Sequence, residues 1–181
     1  MPRPPSRKRP LRTALRKSLE GARRLAVLAV GSDLRADDAA ALLAAKHLAK
    51  LPCPRRLKRR IFLGGTAPEN LCGPIKAFQP THLVVMDSAD MGVRPGQIAV
   101  LDPRQPLGGV SFCTHSLPLT VLVRDLLNFM ACEVVIVGIQ PKTLQFDKPP
   151  CAAVRRAALR LAAAIQCAAD GTASGGARRS P

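Results

Sequence analysis

At 181 residues the chain is sized for one domain built around a single core. Hydrophobic residues make up 47% of it and aromatics only 3%, with no Trp and no Tyr. The core must therefore come from Ala, Leu, Val and Ile, and the ring platforms that RNA readers stack bases on are scarce. The net charge of +16 is concentrated at the start, where residues 1–24 hold nine Lys/Arg against one Glu, and no apolar stretch reaches membrane-spanning length.

Residues 1–24 read as a basic, disordered leader, because the opening MPRPPSRKRP has too little apolar surface to offset the entropy of ordering. Leu11, Leu15 and Leu19 recur at helical spacing inside it, which predicts a short amphipathic helix. Residues 25–31 form a continuous apolar run ending in Gly31, the pattern of a buried parallel strand. Acidic residues at 37 and 38 open a helix over 37–50, which Pro52 and Pro54 end. A second strand is expected over 59–63, a turn at Gly64 and Gly65, and a short helix over 68–78. The third strand, 82–86, is closed by Asp87. A turn at 92–96 leads to a short strand at 98–101, and 103–109 reads as a loop. Leu119, Leu122, Val123, Leu126 and Leu127 give 116–130 an apolar helical side. A further buried strand is predicted at 134–138, a closing helix at 150–169, and a disordered tail at 170–181.

Strands alternating with helices imply an α/β fold. The expected architecture is a three-layer sandwich, a mostly parallel twisted sheet with helices on both faces, formed by residues 25–169. The six cysteines, at 53, 72, 113, 132, 151 and 167, make no C-x-x-C pair and follow no secretory signal. They read as reduced thiols, which points to the cytoplasm.

In such sheets ligands bind beyond the C-terminal strand ends. Asp37 and Asp38 follow the first strand, Asp87 ends the third, and His115 precedes the helix at 116–130. Two carboxylates and an imidazole form a mixed O/N set suited to a borderline divalent metal such as Ni²⁺ or Zn²⁺. Each also has a plainer role, as a helix cap, a turn residue or a hydrogen-bonded structural histidine. The same sheet with acids at its strand ends fits a receiver-like or metal-binding regulatory domain, with Mg²⁺ held by Asp37, Asp38 and Asp87 and with Lys142 at hand. The basic cluster RRLKRR at 55–60 offers a nucleic-acid reading, though a solvated loop running into a strand accounts for it. Cys113 stands two residues before His115, a spacing that in extended chain points the two side chains to opposite faces. No G-x-S-x-G elbow, H-E-x-x-H helix, Walker pattern or G-x-G-x-x-G loop occurs.

Five segments in register carry a family likeness. GSDLRADD (31–38), GGTAPEN (64–70), VVMDSADMG (84–92) followed by Pro95 and Gly96, THSLPL (114–119) and GIQP (138–141) resemble, in order and at similar intervals, the motifs of hydrogenase maturation proteases of the formate-hydrogenlyase-type branch. The resemblance runs from about residue 25 to 165. It implies an endopeptidase that recognises nickel in a [NiFe] hydrogenase large-subunit precursor and removes its C-terminal extension. It implies Asp38, Asp87 and His115 as the metal-contacting residues and Asp38 and Asp87 as the catalytic ones. Nickel would arrive with the substrate, no organic cofactor would be used, and the enzyme would be a monomer. Ser32 departs from the family's usual Asn, and Ala39 and Ala41 replace glycines, which raises the expectation of a differently shaped first loop.

Overall fold

Strand β1 (Arg24–Val30) is buried along nearly its whole length and lies inside the sheet, because its apolar residues alternate between two covered faces. Leu25, Val27 and Ala29 join one core, and Ala26, Leu28 and Val30 the other. In the computed structural model, which describes residues 10–101, 110–112 and 119–172, β1 pairs in parallel with β2 (Lys58–Gly65) on one side and β3 (His82–Asp90) on the other. Strand β6 (Glu133–Ile139) lies parallel to β3, and β4 (Ile98–Leu101) closes that edge antiparallel to β6. The order is β2-β1-β3-β6-β4, with β5 (Ser111–Phe112) pairing antiparallel to the end of β3.

Helices α1 (Leu11–Ser18), α2 (Ala40–Ala49) and α5 (Ala152–Thr172) pack on the face of Val27, Val84 and Val137. Helices α3 (Cys72–Phe78) and α4 (Leu119–Phe129) cover the face of Leu28, Val85 and Ile136. This is the expected three-layer α/β sandwich. Its buried leucines, such as Leu25, Leu28 and Leu161, stabilise it by about 1.5–3 kcal/mol each. Among the described residues no helix is long and apolar enough to cross a membrane.

The reading of residues 1–24 as a disordered leader needs correction. From Leu11 onward the segment belongs to the folded body. Leu15 and Leu19 are fully buried in the α2/α5 core, and Arg16 and Lys17 lie in the last turn of α1, where cations complement the helix dipole. Three leucines one turn apart were enough to dock a helix despite the basic composition around them. Residues 1–9 and 173–181 lie outside the described residues, and α5 runs to Thr172, past the predicted end at 169. Strand β3 also continues beyond Asp87 to Asp90, since β5 supplies Ala89 and Asp90 with a partner.

Candidate active site

β1 runs through α2 to β2 on one side, while β3 runs by way of β4 and α4 to β6 on the other, so these neighbouring strands connect in opposite directions. Their C-terminal ends therefore form the switch point at which doubly wound sheets hold ligands. Asp38 and Asp87 arrive there from these two strands, and both are fully buried.

Gly31 shapes the first approach. Its φ is +135°, and a Cβ at this position would fall 2.1 Å from the Asp38 carbonyl oxygen. Only glycine allows the chain to fold back so closely. Ser32 Oγ then accepts from the Leu34 amide at 3.2 Å, a local turn that serine makes as asparagine does. A 3-10 turn over Ala36–Ala39 carries the acidic pair into α2. Ala39 is right-handed (φ −68°, ψ −4°) and Ala41 lies inside α2, so neither alanine is at a backbone position that calls for glycine. The left-handed residue of this loop is Ala36, at φ 43°.

The two members of the acidic pair do different work. Asp37 holds backbone: Oδ2 accepts from the amides of Lys142 (2.8 Å) and Thr143 (3.1 Å), and Oδ1 from that of Cys151 (2.6 Å). Its own amide donates to the Thr143 carbonyl at 3.2 Å. Asp37 thus laces the loop after β6 to the loop after β1, and it is not available in the manner a receiver-like Mg²⁺ site would require. Asp38 Oδ1 instead accepts from Ser88 Oγ at 2.5 Å, within the range of a hydroxyl bound to a charged oxygen. The Ser88 amide donates to Asp87 Oδ1 at 2.7 Å. One fully buried serine therefore binds both carboxylates.

Of the three residues singled out as metal contacts, the structure brings Asp38 and Asp87 together. His115 lies outside the described residues, as does Cys113. Among the described residues there is no group of three or more His, Cys, Asp and Glu placed to hold a metal ion. Sequence reasoning missed Ser88, whose role depends on a partner fifty residues away. It also missed the job of Gln140. That side chain accepts from the amides of Met91 (2.8 Å) and Val93 (3.3 Å) and donates to Asp90 Oδ1 (3.1 Å), fixing the turn that follows β3. The Gly92 amide, and then Gln140, hold the Asp90 carboxyl below its ordinary range.

The other candidate groups are used elsewhere. Arg59, from the basic cluster at 55–60, donates to the Leu48 and Leu51 carbonyls at 3.0 and 2.7 Å and to Gln166 at 2.7 Å, closing the end of α2. Burial pushes the Cys132 thiol up to about 11, with Glu133 adding to the shift, so it is a poor nucleophile near neutrality. No disulfide forms among the described cysteines.

Fold and site together define an α/β protein with a buried carboxylate pair at the switch point of its sheet. A family model described as HycI, hydrogenase maturation protease, matches residues 44–168. The hydrogenase 3 maturation protease of Escherichia coli (strain K12) is 35% identical over 123 residues, covering 68% of this chain and 76% of that protein. The [NiFe] hydrogenase maturation protease HycI from Thermococcus kodakarensis is similar in structure, with a TM-score of 0.77 at 28% identity over 87% of this chain and 99% of that one. An Escherichia coli endopeptidase, HycI, gives 0.67 at 31% identity over 79% and 89% of the two chains. The chain belongs to the hydrogenase maturation protease family, whose members are endopeptidases.

Proposed function

We propose that this protein trims the C-terminal extension from the large-subunit precursor of a [NiFe] hydrogenase, after nickel has been loaded, using Asp38, Asp87 and His115 to recognise the metal. The observation that carries the reading is the convergence of Asp38 and Asp87 on Ser88 at the switch point between β1 and β3. Two buried carboxylates so close in space repel each other, and a dication offsets that repulsion. Oxygen donors joined by one imidazole suit Ni²⁺. Nickel is part of the substrate here, delivered by the precursor, and no organic cofactor takes part.

Binding the metal docks the precursor's tail at a fixed geometry, so cleavage waits for loading. Water is the nucleophile in this reading. One of the two carboxylates takes its proton as general base, and Ser88 keeps Asp38 in place while it does so. The reaction runs in the cytoplasm, in keeping with the free cysteines.

The test is a mass measurement on a large-subunit precursor incubated with the purified chain, with and without prior nickel loading. Loss of the extension from the loaded precursor alone supports the proposal. Equal trimming of both forms would remove nickel from it, and trimming of neither would remove the activity.

A further inference from the structure

We propose that Leu34 and Phe146 form an apolar docking face for the body of the precursor protein, displayed beside Asp38 by two loops that brace each other. The inference rests on the protease reading above and adds where the substrate is held. Leu34 is 59% exposed and Phe146 70% exposed, on the loops that leave β1 and β6. Of the other exposed large apolar side chains, Leu63 lies near the end of β2 and two have local neighbours. The Phe129 ring lies 3.8 Å from Lys76 Nζ, and Leu159 borders a groove with Leu43 and His47.

The two loops are not loose ends. Asp147 N donates to the Leu34 carbonyl at 2.8 Å, and the three amide bonds to the Asp37 carboxylate tie the same loops together. Ala36 is left-handed at φ 43°, a conformation alanine keeps only where its surroundings enforce it, and Asp147 is left-handed at φ 54°, which aspartate adopts at little cost. Each sits within two residues of a displayed hydrophobic side chain. The face is also next to the chemistry. Leu34 lies four residues ahead of Asp38, and β6 delivers the second loop from alongside Asp87, which pairs with Gly138.

Arg35, Lys142 and Lys148 are exposed around the pair and outnumber the neighbouring exposed acids, since Asp33 is paired with Lys46 and Asp147 alone remains to offset them. The occupant that fits is therefore a folded protein surface with apolar anchors flanked by acidic side chains, close to the tail to be cut. Rigid presentation spares the ordering cost that a mobile loop would incur on binding.

The experiment compares the full chain with its Leu34→Ser/Phe146→Ser variant over a range of nickel-loaded precursor concentrations, reading trimming by mass. A rise in KM of about tenfold with kcat held within about twofold, the mark of lost binding common to ground and transition states, supports the docking face. Phe129→Ser, equally exposed but elsewhere, leaves both constants unchanged. An unchanged KM in the double variant overturns the inference while leaving the protease reading intact. Failure of the unaltered chain to trim the loaded precursor overturns the protease reading, and the docking face with it.

Discussion

Ser88 Oγ lies 2.5 Å from Asp38 Oδ1, a contact that joins the loop after β1 to the end of β3 inside the candidate site. Because both residues are fully buried, losing the hydroxyl removes a donor that water cannot easily replace. Ser88→Ala is expected to cost about 1–3 kcal/mol in urea denaturation and to slow precursor trimming about tenfold or more. Native stability and rate in the variant would show that the bridge does not position Asp38.

Asp37 and Asp38 are adjacent yet should fail in opposite ways. Asp37→Asn keeps one acceptor oxygen but turns its NH2 either against the amide of Cys151 or against those of Lys142 and Thr143, and is expected to destabilise the chain by about 1–3 kcal/mol. Asp38→Asn keeps an oxygen for Ser88 to donate to, so its melting temperature should stay within a few degrees of the parent. Thermal melts of the two variants side by side check this contrast.

Gly31→Ala should be the most damaging small substitution near the site. The added methyl would meet the Asp38 carbonyl at 2.1 Å, from a backbone conformation that alanine resists. The expected cost is roughly 3 kcal/mol or more, combining strain and overpacking, with trimming lost even where folded protein survives. Chemical denaturation together with the mass assay reads both effects.

A pH effect should arise at the other end of β3. His82 is buried at the strand's start, and desolvation lowers its pKa below the ordinary value of 6.5, against smaller opposing contributions from the Glu20 backbone and the Glu133 charge. The unfolded chain thus takes up a proton before the folded chain does. Stability from this residue is complete above about pH 6.5 and declines as pH falls through the lower folded value. The melting temperature should drop between about pH 7 and pH 5, and His82→Gln should flatten that part of the curve. An identical slope in the variant would assign the pH dependence to other groups.

The sheet was legible in the sequence because buried parallel strands are written as continuous apolar runs. Residues 25–31 and 134–138 announce β1 and β6, whereas the strand order, and with it the switch point between β1 and β3, emerges only from the pairings. Asp37, Asp38 and Asp87 could be picked out because each stands at the end of such a run or just beyond it, and the family resemblance singled out Asp38 from its neighbour. Pairings between distant short segments were not legible. The two residues of β5 carry no pattern of their own, and the extension of β3 to Asp90 depends on them. The docking of α1 was hidden by its charge, since composition averages over the three leucines that face the core. Ser88 and Asp37 show the same limit at the site. Their chemistry is decided by partners 50 and more than 100 residues away.

The most direct measurement is the trimming rate of a nickel-loaded large-subunit precursor by the unaltered chain and by Asp38→Asn, Asp87→Asn and His115→Ala, each checked for a native melt. The account predicts that the unaltered chain releases the extension and that each variant, though folded, leaves the precursor at full mass. Native-rate trimming by all three variants would contradict it.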